Sequence, residues 1–153
     1  MPENFGDDVF EVAQRIVAHS RYYAGRMGSF FFTRLRDEKK ILGVRCDKCN
    51  RVLWPPRSTC GRCFSELSEE NLVEIGPEGT LEAFTLVTYC EPIHPRQAPF
   101  VYGIIRLDRA DTGIVHFIGG LDFEKAKIGM RVRPVFAETR RGNILDIDHF
   151  EPL

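Results

Sequence analysis

Five cysteines occur in the 153 residues, and four of them stand as two C-x-x-C pairs, Cys46 with Cys49 and Cys60 with Cys63. Ten residues separate the pairs, giving the order C-x2-C-x10-C-x2-C. A C-x-x-C turn aims both sulfurs at one point, and two facing turns complete a tetrahedral sulfur site with metal–sulfur bonds of about 2.3 Å. A closed set of four thiolates suits a structural zinc ion, which has no redox duty. A rubredoxin-type iron site uses the same four ligands, so the spacing leaves the metal open between the two. A thioredoxin-like redox pair needs a single C-x-x-C at a helix start, which is a different pattern. The insert is shorter than the roughly 15–20 residues of longer ribbons but long enough for a short hairpin. It carries Trp54, Pro55, Pro56 and Arg57.

The formal net charge of −1 conceals two regions of opposite sign. Between Arg26 and Arg62 ten Lys/Arg face three Asp/Glu, whereas from Cys63 to Leu153 nine face fifteen. The basic residues admit two readings. Arg45, Lys48, Arg51, Arg57 and Arg62 can offset the surplus negative charge of four thiolates around a dication. Alternatively, Arg26, Arg34, Arg36, Arg51 and Arg57 form a patch for phosphoryl oxygens, which the guanidinium fork fits in bidentate fashion. Such phosphates would belong to a nucleotide-like cofactor such as coenzyme A, or to nucleic acid. The acidic C-terminal region speaks against a sugar-phosphate backbone.

The other residues capable of chemistry do not assemble into a catalytic set. Cys90 precedes His94 by four residues in a Pro-rich loop, an arrangement open to a Cys-His nucleophile but better read as a small apolar residue at a strand end. His116 sits within "GIVHFIGG" as a strand residue facing a neighbour, and His19 lies on the polar side of a helical pattern. Asp148 and His149 are adjacent, and neighbours on a strand point to opposite faces. No G-x-S-x-G, phosphate-loop or H-E-x-x-H pattern occurs.

The elements that must position these groups follow from periodicity. Residues 8–24 place Val9, Val12, Ala13, Ile16 and Val17 on one helical face, with Gly25 and Gly28 as the expected stop. A second helical piece, "SFFFTRLRDEKK", brings three consecutive Phe, which cannot all face one core. "ILGVRC" opens the cysteine module as a short strand, and the acidic "SELSEENLVEIG" leads away from it. Then come five strands, at 79–89, 100–108, 113–120, 130–138 and 143–151, joined by "EPIHPRQAP", "RADTG", "DFEKAKIG" and "TRRGN". In the first strand Leu81, Ala83, Thr85 and Val87 are expected on one side. Five strands in so short a span suit the OB-fold, a five-stranded Greek-key barrel. The chain therefore reads as mainly β with N-terminal helices: a helical arm at 1–43, a rubredoxin-like zinc ribbon at 44–66 and an OB-fold barrel at 67–153. No apolar run reaches the roughly 20 residues of a bilayer span, and the N-terminus lacks a leader pattern. Reduced thiols in the cytoplasm are the expectation.

In this order the parts resemble the DUF35 family of zinc ribbon plus OB-fold proteins associated with acyl-CoA enzymes. The residues that carry the resemblance are Phe31, Phe32 and Leu35, then "GVRCDKC", "WPPRSTCGRC", "GPEGTLEAFT", "APFVYGIIRLD" and "IGMRVRPVF". The chain departs from the family's habit with Asn50 after the second Cys, where Gly is common, and Gly61 after the third, where Pro is common. Asn tolerates the left-handed conformation that a knuckle turn needs. The resemblance implies a non-catalytic subunit that docks on a thiolase-like enzyme and helps shape or cap its acyl-CoA site. Hydratases, aldolases and condensing enzymes are the other partners it implies, and single-stranded nucleic-acid binding is the competing function. Structural zinc at Cys46, Cys49, Cys60 and Cys63 is expected, with coenzyme A shared at the partner interface. Ligand or partner contacts are expected at Phe31, Arg34, Trp54 and Arg57. Among the settings that the resemblance implies, the long N-terminal helix and the density of Phe and Tyr favour an aromatic or otherwise bulky acyl-CoA.

Overall fold

The computed structural model describes residues 18 and 20–153. Most of the helix expected at 8–24, with its Val9–Val17 face and His19, lies outside the described residues. Residues 20–24 take no regular structure, and helix α1 runs Gly25–Glu38. Gly25 and Gly28 thus open a helix where they were expected to close one. Each glycine costs a helix interior roughly 1 kcal/mol, but Met27, Phe31 and Leu35, one turn apart, are all buried and drive the segment helical. The three Phe divide as their geometry demands. Phe31 is core, Phe32 packs against the core from its margin, and Phe30 is 40% exposed. The helix ends at Lys39, whose left-handed backbone lets Lys39 N–H reach Leu35 O and Lys40 N–H reach Arg34 O.

Strands β1 (Leu42–Cys46) and β2 (Arg51–Leu53) form the ribbon hairpin. The acidic lead-out contributes β3 (Leu72–Glu74), which pairs antiparallel with the other edge of β1. The remaining strands are β4 (Gly79–Val87), β5 (Phe100–Leu107), β6 (Ile114–Ile118), β7 (Arg131–Phe136) and β8 (Ile147–Pro152). They close in the order β4-β5-β6-β8-β7, with β6 and β8 parallel. This is the OB-fold arrangement.

Two local features depart from simple alternation. A bulge between Leu81 and Ala83 reverses the phase of β4. Leu81 faces inward as expected, but beyond the bulge Phe84 and Leu86 pack on the core while Thr85 is exposed. The last expected strand begins instead with a 3-10 turn, Ile144–Asp146, in which Asn143 Oδ1 accepts from Leu145 N–H at 2.8 Å. Inside the barrel Gly103 is required, because a Cβ there would lie 2.4 Å from Leu81 Cδ1.

One core links all three parts. Phe31 and Leu35 from α1, Val52 and Trp54 from the ribbon, and Leu81, Ile105, Leu107, Val132, Ile147 and Phe150 from the barrel belong to a single buried cluster. The β5–β6 turn completes the joint by lying along the free edge of β2. Asp111 Oδ2 accepts from Val52 N–H at 2.8 Å, and Asp111 N–H donates to Val52 O at 2.8 Å. Thr112 Oγ1 accepts from Trp54 N–H at 2.7 Å and donates to Trp54 O at 2.9 Å. At the far end of α1, Arg140 Nε donates to Arg36 O at 2.6 Å. Its loop is held by Asp146, 1% exposed, which accepts from Arg141 N–H and Gly142 N–H at 2.8 and 2.7 Å. Asp146→Ala leaves both N–H groups without their carboxylate and should lower unfolding free energy by about 1–3 kcal/mol. Urea unfolding of the variant checks this; a change within error would show that the loop re-pairs with water.

Candidate functional site

The four ribbon cysteines converge. Their sulfurs all lie within 4.8 Å of one another, Cys46 Sγ and Cys63 Sγ at 3.6 Å. A tetrahedron with bonds of about 2.3 Å has sulfur–sulfur edges of roughly 3.8 Å, so the donor set fits zinc with small adjustments. Cys46 and Cys60 are fully buried, and Cys49 and Cys63 half-buried. The set supplies four ligands and closes the coordination shell, which makes the ion structural.

Both knuckles use the same backbone device. Asn50 follows Cys49 with φ +50°, and Phe64 follows Cys63 with φ +60°. Asn50 meets the left-handed requirement with a residue suited to it, and Arg45 Nη1 donates to its Oδ1 at 3.3 Å. Phe64 meets the same requirement with a bulky residue that is 79% exposed. Left-handed backbone costs an ordinary residue roughly 1–2 kcal/mol; the knuckle geometry imposes it here.

Crowding sets the electrostatics. N–H groups of Arg62 and Cys63 facing Cys60 Sγ lower that thiol's pKa. The hydroxyl and N–H of Ser65, the former 3.1 Å away, draw Cys63 down to about 6. Cys49 is pushed up to about 12, chiefly by the adjacent Cys63 sulfur. Four thiols this close cannot all ionise without a cation between them. A zinc ion supplies that charge and holds the two knuckles together.

The sequence-predicted contact residues separate into two groups. Phe31 and Trp54 are 1% and 0% exposed, so both are core side chains rather than contact surface. Their aromatic area is more effectively buried in the joint between helix, ribbon and barrel. Arg34 is engaged with Glu38 one turn away. Arg57 is exposed, and among the described residues it has no ion pair or hydrogen bond. The wider arginine patch is used internally. Arg26 pairs with Glu69 at 2.7 Å, Arg36 with Asp37 at 2.7 Å, and Arg51 Nη2 donates to Asp111 O at 3.3 Å.

The remaining candidates are occupied by structure. Cys90 Sγ contacts Arg96 O at 3.5 Å, while His94 Nδ1 accepts from Glu91 N–H at 3.1 Å. His149 Nδ1 does meet its strand neighbour, Asp148 Oδ2, at 2.7 Å, and Arg96 binds the same carboxylate at 2.6 Å. Sequence alternation missed this contact, because β8 is irregular opposite Val135 and Phe136. His116 is 3% exposed: its Nδ1 accepts from Phe117 N–H at 2.9 Å and its Nε2 faces Ile144 O at 3.2 Å.

The class of protein is now defined as a four-cysteine zinc ribbon joined to an OB-fold barrel. Residues 34–68 match the model for the ChsH2 rubredoxin-like zinc ribbon domain, and residues 72–137 that for the ChsH2 C-terminal OB-fold domain. The chain belongs to the DUF35 family. A "DUF35 domain-containing scaffold protein" of Methanocaldococcus jannaschii is 28% identical over 106 residues, 69% of this chain and 74% of that one. A crystal structure of a DUF35 protein with unknown function from Sulfolobus solfataricus superposes with a TM-score of 0.58 at 28% identity, covering 72% of this chain and 78% of its own. A chain of the "Ltp2-ChsH2(DUF35) aldolase" shares the fold with a TM-score of 0.61 at 22% identity, over 86% and 98% of the two chains.

Cys60→Ser should lose the zinc and expose residues 44–66 to proteolysis, since metal-binding energy is folding energy in so small a module. Unchanged zinc stoichiometry in that variant would overturn the ligand assignment. His116 generates a second prediction. Burial lowers its pKa, while Ile144 O and the charges of Arg96 and Asp148 act on it more weakly. Over the interval below about 6.5 the unfolded chain binds a proton that the folded chain refuses. Stability is therefore full above that value and falls as pH drops through it. Denaturation at pH 7.5 and 5.5 should show a smaller loss in His116→Gln than in wild type; equal losses would assign the acid sensitivity to other groups, the thiolates included.

Proposed function

We propose that the chain is a non-catalytic accessory subunit of a thiolase-type acyl-CoA enzyme, docking on the larger catalytic subunit and helping to shape or cap its acyl-CoA site. The observation that carries this reading is that its chemistry-bearing groups are committed to its own architecture. The four ribbon thiols close a metal site, His116 is engaged at both ring nitrogens by backbone, and Cys90 Sγ approaches the carbonyl of Arg96 and not His94. Membership of the DUF35 family and the relative described as a scaffold protein support it. Arg57, exposed on the ribbon insert, is a cation available to a coenzyme A phosphate at the shared interface, with Lys48 and Arg62 exposed on the same ribbon. The Phe and Tyr content favours an aromatic or bulky acyl group, as in a benzoylsuccinyl-CoA thiolase, and a cytoplasmic setting suits four reduced thiols.

The fold shared with a chain of the Ltp2-ChsH2(DUF35) aldolase favours a second reading, an accessory subunit of an acyl-CoA aldolase. Coexpression decides between them. The purified chain should show no thiolysis or retro-aldol activity. Coexpressed with a thiolase-fold catalytic subunit, it should copurify in a defined ratio and support thiolysis of an acyl-CoA; retro-aldol cleavage in its place would favour the second reading. Thiolysis by the isolated chain would overturn the proposal.

A further inference from the structure

The outer surface of the barrel has two characters. In a closed barrel with a filled interior, outward positions face water and are ordinarily polar. On β7 and β8 they are: Arg133 pairs with Glu151 across the strands at 2.8 Å, and Arg131 pairs with Asp108. On β4 and β5 the outward charges are confined to Glu82 and Arg106 at one end, and the middle of the β4–β6 face carries none. The strand register sets two rows across these three strands, Ala83–Ile104–Val115 and Thr85–Tyr102–Phe117. None of the six is charged; Ile104 and Val115 are 41% and 61% exposed, while Phe117, covered by Arg96, is only 2% exposed.

The relief of this face suits a protein ligand. A groove of about 290 Å³ runs beside Val115 and Ile104, and a smaller one of about 160 Å³ shares Tyr102 and Val115 and reaches Leu145, itself 42% exposed. Val115 and Tyr102 line both. The flanking cations are spoken for. Arg106 pairs with Glu82 at one end of the rows, and Arg96, stacked 4.5 Å over Phe117, pairs with Asp148 at the other. A phosphate or an acidic peptide would find no free positive charge among the lining residues. An apolar, uncharged protein surface is the complement that this rim and floor accept.

We infer that this outer face of β4–β6 is where the catalytic partner subunit docks, meeting it with apolar side chains set into the grooves that Val115 lines. The inference rests on the reading of the chain as an accessory subunit. It places the enzyme on the barrel and leaves the ribbon insert free for other contacts.

The test uses the full chain coexpressed with the thiolase-fold catalytic subunit that it copurifies with. Ile104→Asp and Val115→Asp should weaken the complex by about ten- to a hundredfold, because a charge must then be desolvated at the contact. Arg133→Ala, on the charged half, should change affinity by less than about threefold. Zinc content and thermal unfolding report whether each variant is folded. A photo-crosslinking residue at position 115 in the otherwise unaltered chain should capture the partner, which keeps the test decisive if a charged variant fails to fold. A complex that forms normally, ignores both Asp substitutions and gives no crosslink from position 115 overturns the inference and leaves the accessory role intact. Absence of any complex with the wild-type chain overturns both. A homodimer of the purified chain that Ile104→Asp dissociates would assign the face to a second copy and overturn the inference as well.

Discussion

Mutual crowding of four thiols is the constraint on which the rest depends. Held within 4.8 Å of one another, they need a cation at their centre before all can ionise. The ribbon's own apolar cluster is small: Met27, Val44, Leu53 and Leu67 around the buried sulfurs of Cys46 and Cys60. That is too little to order two knuckles with left-handed residues, so metal binding supplies the folding energy. Once the knuckles close, β2 is fixed, and with it the two side chains that reach beyond the ribbon, Val52 and Trp54.

Those two residues turn a local metal module into part of a larger structure. Trp54 is fully buried among residues of the helix and barrel, while its main-chain N–H and C=O are both taken by the Thr112 hydroxyl. Helix α1 makes the same bridge from the other side. Met27 belongs to the ribbon cluster, whereas Phe31 and Leu35, one and two turns on, belong to the large one. The helix C-terminus is then anchored by Arg140 from the loop that buried Asp146 shapes. Ribbon, helix and barrel therefore share apolar surface and backbone hydrogen bonds, and displacing any one would expose core belonging to the others.

What could be read from residues alone follows from the range of the interactions. The cysteine spacing, the knuckle residue Asn50 and the barrel strands are local patterns, and they were legible. The joint was not, because Val52 meets Asp111 and Trp54 meets Thr112 across 58 to 59 residues. Strand β3 was missed for a similar reason, since "LVE" has too few residues for alternation to register and is a strand only because β1 offers it an edge. The bulge at Glu82 reversed the inward set of β4, which a strict period of two cannot anticipate. Trp54 looked like a display residue because it precedes Pro55, Pro56 and Arg57, and Phe31 because three consecutive Phe cannot all face one core. Their burial depends on three distant segments converging.

The distribution of charge argues for a protein that acts by contact. Arg26, Arg34, Arg36, Arg96, Arg106, Arg131 and Arg133 each pair with a carboxylate of the same chain. Exposed pairs of this kind add little stability, but they remove free cations from the surface and so narrow what it can attract. Two features outside this pairing bear on contact: Arg57 on the ribbon insert, which like Lys48 and Arg62 has no carboxylate partner among the described residues, and the uncharged rows of β4–β6. One offers a single guanidinium to an anion, the other an apolar relief to a protein. A four-sulfur metal site with no open coordination position gives neither of them a reaction to carry out. Its contribution is to hold insert and barrel in a fixed relation, so that the partner proposed to dock on the sheet would find the ribbon always in the same place.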